Sequence, residues 1–448
     1  MNINSESIPE TAEAVQPGEE KNKKRKKKGK KIFRKVLAVF FAVIVLIAGV
    51  TASANLISLQ SSINKAHSFP NAGCAPIKVE NYADGCWNIF TDKGLKVLQL
   101  TDLHLGGGWM SVKQDSMAIN AVAAMIKAEK PDFVIVTGDI AYTVPIQAGT
   151  FNNKSGSRIL AELMEKLGVY WTLTFGNHDA EVFSWYSLQE LTKFYSSGAY
   201  PHCLFQRGPA DVDGSGNQVF NIVNSDGFIT RSFILLDSHA YTDGDAFGIH
   251  WRYDNLHANQ IKWYTKTVKE LNVRNAETLK ALPEQQAAKY SGAPQILPTT
   301  VFLHIPLYEY RDAWDEYAAN GYKNTANVKY KYGVAGQNGK VVYCGIHRNN
   351  FFKTMLSLGS TDTVFCGHDH LNNFSLNYKG IELTYGMSID YLAYPGIYKL
   401  GAQRGCTVIN ISSNGAIDYN EQNYYQAKYT SYYPKETVTM QQYANNHA

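Results

Sequence analysis

Cysteine is scarce in this sequence, and the pattern of the few cysteines argues against two common kinds of site. The 448 residues include six cysteines, and no two of them form a Cys-x-x-Cys pair. Zinc ribbons and thioredoxin-like redox centres need such pairs, so neither is expected. Cys366 lies in an apolar run, which predicts a buried thiol. Cys74 and Cys86 are close in sequence, and a disulfide between them stays an alternative for an exported domain.

Two signals for nucleotide or nucleic-acid binding are also missing. Gly106, Gly107 and Gly108 form a glycine run, but the Gly-Lys-Ser/Thr ending of a Walker loop does not follow it. The net charge of +4 comes from the first 35 residues, which hold 11 Lys or Arg and 5 Glu, so the remainder carries about −2. A nucleic-acid groove needs clustered positive charge, and no nucleic-acid partner is therefore predicted.

The longest apolar run lies near the N-terminus. Residues 1–35 are polar and then strongly basic, which predicts a disordered cytoplasmic tail. Residues 36–54 contain no charged side chain, and this length suffices for a helix to cross a bilayer. Basic residues before the run place that side in the cytoplasm, so we expect a single-pass membrane anchor with an extracytoplasmic domain. The sequence Ala52-Ser53-Ala54 resembles a signal-peptidase site, and secretion after cleavage is the alternative.

The rest of the chain divides into three segments. Residues 55–93 show little periodicity and are expected to form a stem, and residues 421–448 are expected to form a C-terminal tail. Between them, residues 94–420 alternate apolar strands with amphipathic helices, which is typical of a layered α/β domain with mixed character. Within this domain, residues 213–217 predict a hairpin tip and residues 273–297 a polar connection after a helix over residues 256–271.

Polar side chains follow five predicted strands at the point where each strand ends. Because the carboxyl ends of parallel strands meet at one edge of a sheet, these side chains are expected to lie close together. The candidate metal ligands are Asp102, His104, Asp139, Asn177, His304, His368 and His370. The other histidines, which are not expected to be ligands although His239 follows a strand, are His202, His239, His250, His257 and His347 among others.

The chemistry of these donors predicts a metal centre with two ions. Oxygen and imidazole ligands without thiolate suit Fe, Mn, Zn or Ni. Seven donors are too many for one tetrahedral ion, but a shared carboxylate can hold two. Two ions about 3.5–4 Å apart form a clamp for in-line displacement at phosphorus and lower the pKa of bound water. A phosphorylated small molecule is therefore the expected substrate.

The strand-end motifs resemble those of the calcineurin-like metallophosphoesterase superfamily, whose pattern is D-x-H, GD, GNH(D/E), H and GHxH. The segments KVLQLTDLHLG, TGDIAY, GNHD, FLHIPLYEY and FCGHDHLNNF look like its single-domain branch related to purple acid phosphatases. The resemblance covers roughly residues 94–390. It implies a four-layer α-β-β-α sandwich with a dinuclear metal site.

By motif position, the resemblance assigns a role to each side chain. The first ion would be held by Asp102, His104, Asp139 and His370, and Asp139 would bridge to a second ion held by Asn177, His304 and His368. His178 would face the phosphate as a general acid or charge stabiliser. Asp179 would hold the orientation of that ring and share the catalytic role. Asn177, His178 and Glu309 would contact the substrate.

One position departs from the purple acid phosphatase pattern. Those enzymes have Asp-x-Gly in the first motif and an iron-binding tyrosine three residues after the aspartate of the second. Here His104 replaces the glycine, while Tyr142 keeps the tyrosine spacing. Because His104 would fill the coordination space, Tyr142 is not expected to be a ligand.

The leading hypothesis is a phosphate monoesterase that uses a dinuclear metal site outside the cytoplasmic membrane. A phosphodiesterase acting on nucleotides or lipid head groups is the first alternative, because the same metals serve both reactions. A non-catalytic, metal-stabilised binding domain is the second.

Overall fold

The computed structural model describes residues 17–242, 252–292, 294, 296–336, 341–397 and 404–430. Chain contacts divide the protein into two units, Met1–Ala54 and Asn55–Ala448. Helix α1 (Pro17–His67) begins before this boundary, so residues 17–35, expected to be disordered, are helical. The helix contains a stretch long and apolar enough to cross a membrane, a property that signal sequences share. The predicted tails also include residues 1–16 and 431–448, which lie outside the described residues.

The unit Asn55–Ala448 is a mixed α/β fold, as the sequence pattern predicts. Its helices after α1 are α2 (Val112–Glu129), α3 (Pro145–Ala148), α4 (Asn153–Leu167), α5 (Leu188–Tyr195), α6 (Ala258–Ala281), α7 (Glu284–Ala287), α8 (Tyr308–Ala319) and α9 (Phe351–Leu358). Its strands are β1 (Lys78–Ala83), β2 (Cys86–Phe90), β3 (Leu95–Leu100), β4 (Phe133–Thr137), β5 (Tyr170–Thr174), β6 (Gln218–Val223), β7 (Ile229–Leu235), β8 (Thr299–Phe302), β9 (Val328–Tyr332), β10 (Thr361–Cys366), β11 (Ser375–Tyr378), β12 (Ile381–Tyr385), β13 (Gly405–Ile411) and β14 (Ile417–Asn423).

Local sequence explains where these elements begin and end. Strand β4 reads FVIVT, and all five residues are buried, as β-branched and aromatic side chains in a central strand usually are. Helix α2 ends where Lys130 adopts a left-handed conformation (φ 46°) just before Pro131, which cannot continue a helix. Helix α5 begins with a capping box, in which Ser187 and Glu190 satisfy each other's backbone N–H groups.

Two sheets stack face to face and are covered by helices on their outer sides. The smaller sheet has the strand order β14-β13-β3-β4-β5, and the larger has the order β1-β2-β6-β7-β8-β10-β12-β11-β9. Phe133 and Ile409 of the smaller sheet share one apolar cluster with Phe233, Phe302 and Phe365 of the larger. A second cluster joins the smaller sheet to α2 and α4, and a third joins the larger sheet to α6, α8 and α9. The four-layer α-β-β-α arrangement is therefore confirmed.

Strand direction brings the predicted ligands to one edge. Strands β3, β4 and β5 are mutually parallel, and so are β7, β8, β10 and β12. The five ligand-bearing segments follow β3, β4, β5, β8 and β10 directly, so both sheets contribute side chains to one region.

Several local predictions are wrong. Residues 213–217 precede β6, and the hairpin turn between β6 and β7 is formed instead by residues 224–228, which read NSDGF. Helix α6 extends to Ala281 and α7 follows, where residues 273–297 were expected to be a polar connection. Strands β1 and β2, within the expected stem, join the larger sheet through β6, and β14 reaches into the expected C-terminal tail.

The cysteines carry no disulfide. All six are free thiols, so the bond considered between Cys74 and Cys86 is absent. The two side chains pack against different apolar clusters, Cys74 against the core beneath α2 and α4 and Cys86 against the β6–β7 end of the larger sheet.

The core between the sheets provides a stability test. Phe302 is fully buried, its ring stacks on Phe365 at 5.2 Å and meets Phe233 edge-on at 5.5 Å. We expect Phe302→Ala to lower the free energy of unfolding by about 3–5 kcal/mol, because it leaves a cavity that the two sheets cannot close. Urea unfolding of the full chain in detergent measures this. The control Val273→Ala removes an exposed side chain and should change stability by less than about 0.5 kcal/mol. Equal losses of unfolding free energy in the two variants would contradict the placement of Phe302 in the core between the sheets.

Candidate metal centre

The structure brings six of the seven predicted ligands together in two overlapping groups, and Asn177 lies beside the second. Asp102, His104, Asp139 and His370 form one group, and within it the ligand atoms lie within 4.8 Å of one another. Asp139, His304 and His368 form the second on the same criterion. All of these side chains are buried, and Asp139 belongs to both groups.

The shared carboxylate oxygen lies between imidazoles of the two groups. Asp139 Oδ2 is 3.3 Å from His104 Nε2 and 3.2 Å from His304 Nε2. On the second side, Asn177 Oδ1 is also 3.2 Å from His304 Nε2. On the first side, Asp102 Oδ1 is 3.5 Å from His370 Nε2. This is the geometry expected of a carboxylate that bridges two cations.

The hydrogen-bonding state of the site fits bound metal. His304 Nδ1 is 2.8 Å from the carbonyl oxygen of Thr137, which can only accept, so Nδ1 carries the proton. When Nε2 of His304 carries no proton, its lone pair faces oxygens of Asp139 and Asn177. The three atoms then converge as donors toward one cation. Within the described chain, Asp139 Oδ2, both ring nitrogens of His104 and Nε2 of His368 are buried without a hydrogen-bond partner.

Backbone strain is concentrated at the same residues. Asp102, His104, Asp139 and His368 all have positive φ, at 51°, 49°, 51° and 79°. Residues other than glycine seldom adopt such angles, and they persist where the surrounding structure enforces them, often at functional sites.

The glycines that precede ligands are needed for close packing. A Cβ atom on Gly176 would overlap Asp139 Oδ1, and one on Gly367 would overlap Thr101 Oγ1. The Gly-Asn-His and Gly-His motifs therefore reflect the tight approach of neighbouring strand ends as well as the identity of the ligands.

The charges of the centre reinforce one another. Burial disfavours ionisation of Asp139, but the positive charges of His304 and His178 hold its pKa well below the ordinary value. Burial also opposes the charged form of His304, yet the Asp139 carboxylate raises the pKa of this imidazole to about 9. The pocket thus favours a carboxylate that is paired with positive charge.

His178 is held in place by a residue that the sequence patterns do not reveal. Its Nδ1 lies 2.7 Å from Glu181 Oε1, and its backbone N–H donates to Asp139 Oδ1 at 2.8 Å. The hydroxyl of Tyr241 donates to the same Glu181 oxygen at 3.2 Å and accepts from Asn177 Nδ2 at 3.0 Å. The second bond orients Asn177 so that its carbonyl oxygen faces His304.

The expectation that Asp179 orients the ring of His178 is wrong. Its carboxylate is buried and accepts four backbone N–H bonds of 2.8 to 3.0 Å, from Gly176, Asp139, Ile140 and Ala141. Burial and the charge of Asp139 raise the pKa of Asp179 to about 7. Asp179 therefore fixes the loop that carries Asp139, and Glu181 contacts the histidine instead.

Asp390 is a second residue that the sequence patterns missed. Its Oδ1 lies 3.7 Å from His104 Nδ1, and its Oδ2 lies 3.2 Å from His370 Nδ1. Asp390 thus contacts the Nδ1 side of two metal-ligand candidates and can hold the orientation of their rings. Asp390 follows β12, which pairs in parallel with β10. A polar residue after this strand was the only sequence signal, because no histidine lies beside it in the sequence.

Tyr142 and Glu309 lie beside the centre. The Tyr142 hydroxyl donates to Gln147 Oε1 at 2.8 Å, and its ring packs edge-on against His104 and His178. That Tyr142 is not a ligand stays a prediction. Glu309 lies in the first turn of α8 and lines a narrow cleft with Asp254 and His347. Its contact with substrate stays a prediction.

A third group of possible donors consists of His239, Asp254 and His257, again within 4.8 Å of one another. Three of its four ring nitrogens have partners: Asp213 and Asp254 flank His257, and Gln260 lies 2.8 Å from Nε2 of His239. This group is a hydrogen-bonded network at the start of α6. His250, also not expected to be a ligand, lies outside the described residues.

Comparisons with known proteins show which family this chain belongs to. Residues 95–372 match the profile of the family described as Calcineurin-like phosphoesterase. A protein of Arabidopsis thaliana named "Probable inactive purple acid phosphatase 29" is 26% identical over 336 residues, which cover 71% of this chain and 77% of the relative. "Phosphatase DCR2" of Saccharomyces cerevisiae is 29% identical over 64% of this chain and 46% of its own length. The crystal structure of a dimetal phosphatase from Danio rerio aligns with 74% of this chain and 99% of its own, at 10% identity and a TM-score of 0.41.

The position of Asp390 leads to a test of metal affinity. Asp390→Asn keeps the shape of the side chain but removes the charge beside His104 and His370, so we expect metal affinity to fall about 10- to 100-fold. Metal content after equilibrium dialysis against Mn²⁺ or Zn²⁺ measures this. Asp312→Asn is the matched control, because Asp312 pairs with Arg348 on the surface. Equal metal content in both variants would show that Asp390 has no such role.

Proposed function

We propose that this chain, which belongs to the calcineurin-like phosphoesterase family, hydrolyses phosphate monoesters at a dinuclear metal centre. The observation that carries the proposal is the Asp139 oxygen shared by two groups of buried donors. The first ion would be held by Asp102, His104, Asp139 and His370, and the second by Asp139, Asn177, His304 and His368. Two such cations supply Lewis acidity and an activated water for in-line attack at phosphorus.

His178 is the residue suited to proton transfer. Burial opposes its charged form, but Asp139 and Glu181 raise its pKa above the ordinary value. Because Nδ1 is engaged by Glu181, the other ring nitrogen is left to hold a proton for a phosphate oxygen or the leaving oxygen. The ring is only partly buried, which supports its access to substrate.

A non-catalytic reading draws support from the name of the Arabidopsis relative, which contains the word inactive. This chain has a donor side chain at all seven positions of the motif set; six lie in the two groups, and Asn177 lies beside His304 of the second. The intact donor set favours catalysis.

The location of the reaction is part of the proposal. Residues 36–54 would anchor the chain in the cytoplasmic membrane, with the metal centre on the extracytoplasmic side, or would be removed by cleavage. The helical form of this segment and its length are consistent with both outcomes.

The role of His178 is testable with a conservative variant. We expect His178→Gln to retain both metal ions and to lower the kcat for an aryl phosphate about 10²- to 10⁴-fold, because proton transfer is lost while the ligand set is intact. Steady-state kinetics together with metal analysis of the same preparation measure this. His202→Gln is the control, since His202 pairs with Glu165 outside the two metal groups. Near-normal turnover in His178→Gln would contradict the assignment.

A pair of substrates distinguishes the monoesterase from a diesterase. We expect kcat/KM for a mono-aryl phosphate to exceed that for the bis-aryl ester at least about tenfold, since His178 faces a dianionic group better than a monoanionic one. Hydrolysis of both esters by the same metal-loaded preparation gives the ratio. A preference for the bis-aryl ester would favour the phosphodiesterase alternative.

A further inference from the structure

Three loops next to the metal centre expose large apolar side chains. They follow β3, β4 and β5, the three strands of the smaller sheet that carry metal-ligand candidates. We refer to these side chains as the apolar rim; they are Trp109, Met110, Ile146, Phe151, Val182 and Trp185. The exposed fractions reach 81% for Ile146, 67% for Val182 and 64% for Trp185. Apolar side chains so exposed, and so close to one another, mark an interaction surface.

Hydrogen bonds join the three loops into one surface. The backbone N–H of Trp185 donates to the carbonyl of Phe151 at 2.9 Å. The N–H of Met110 donates to the carbonyl of Ala148 at 3.3 Å. Since these bonds link each loop to the next, the rim is a continuous feature of the folded domain.

The rim is connected directly to the candidate proton donor. Val182 follows Glu181, whose carboxylate bonds the ring of His178. Tyr142, in the loop after β4, packs its ring against both His104 and His178. A molecule bound to the rim would therefore lie beside the phosphate-binding region.

Chain connectivity indicates what covers the rim. Asn55 follows directly the uncharged residues 36–54. Its side-chain amide donates to the Gly149 carbonyl at 3.1 Å, and its side-chain oxygen accepts from the Trp109 N–H at 2.9 Å. Ala54, the last residue of the apolar segment, therefore directly precedes Asn55, whose side chain bonds two of the rim loops. Because residues 36–54 are covalently joined to Asn55, a bilayer that holds them is tethered next to these two loops by the chain itself.

The charges around the rim suit an anionic bilayer surface. In residues 105–114, 144–154 and 180–187 the only carboxylate is Glu181, which is engaged by His178. Lys113 is exposed near Met110, and the Lys154 ammonium lies over the rings of Tyr186 and Phe194. Tryptophan, lysine and few carboxylates are typical of protein surfaces that lie at the lipid headgroups.

We propose that the apolar rim rests in the interfacial layer of the membrane and that the substrate is a phosphate monoester of a membrane lipid. This inference rests on the proposed phosphatase function and on retention of the anchor. In the reaction, the oxygen of water bonds to phosphorus while the bond from phosphorus to the lipid oxygen breaks. The lipid oxygen takes a proton from His178, and the proton that the attacking water releases restores the histidine. The products are a lipid alcohol and inorganic phosphate.

The activity test uses the full chain reconstituted in phosphatidylcholine vesicles that contain phosphatidic acid, with para-nitrophenyl phosphate as the soluble probe. We expect the triple variant Ile146→Ser, Val182→Ser, Trp185→Ser to lower the ratio of lipid to soluble turnover roughly tenfold or more, because interfacial binding scales with buried apolar area. The matched control, Val273→Ser with Leu356→Ser, removes exposed apolar side chains from α6 and α9 and should leave this ratio unchanged.

A second measurement does not depend on activity. Phosphatidylcholine brominated on its acyl chains quenches the fluorescence of tryptophans that touch the bilayer. We expect it to quench the fluorescence of the wild-type chain more strongly than that of a Trp109→Ser, Trp185→Ser variant. Quenching that is equal in the two proteins would overturn the proposal, and so would an unchanged turnover ratio in the triple variant. A dimer in detergent that the triple variant abolishes would assign the rim to a second copy and would also overturn it.

The two proposals fail in different ways. Hydrolysis of the soluble probe without hydrolysis of phosphatidic acid would contradict the lipid substrate and leave the phosphatase intact. Failure to hydrolyse either ester after metal loading would contradict the phosphatase function itself, and the lipid substrate with it.

Discussion

The rest of the site depends on the position of the Asp139 carboxylate. A buried carboxylate is costly unless positive charge and hydrogen bonds surround it. Here one oxygen faces His104 and His304, while the other accepts the backbone N–H of His178. Asp179 then fixes the loop through four backbone bonds. Positive charge on the surrounding imidazoles stabilises this carboxylate, and the proposed cations would share its unpaired oxygen.

The architecture meets this requirement by stacking two sheets with their strand ends at one edge. Asp102, Asp139 and Asn177 come from the smaller sheet, and His304 and the two histidines after β10 come from the larger. The centre therefore forms only when the layer of aromatic side chains between the sheets is packed. Positive φ at four ligand candidates indicates that the sheets, rather than local preference, hold the loops in place.

How much the sequence predicts depends on whether the signal is local. Each ligand candidate directly follows an apolar strand, so a short apolar run and a short motif suffice to find it. Tyr241 and Asp390 lie in loops without such a motif, and their roles arise from contacts with residues far away in sequence. Glu181 is only three residues from His178, but the motif ends at Asp179 and does not include it. Tertiary structure also explains two wrong predictions. Most partners of Asp179 are backbone groups about 40 residues away, and β1 and β2 find their place in the sheet through β6, which is far away in sequence.

X-ray absorption spectroscopy on the metal-loaded chain tests whether the Asp139 carboxylate joins two metal ions. We expect two ions per chain, a metal–metal distance of about 3.5–4 Å, and imidazole nitrogen with oxygen as ligands. A single ion per chain, or two ions with no metal–metal scattering at that distance, would contradict it.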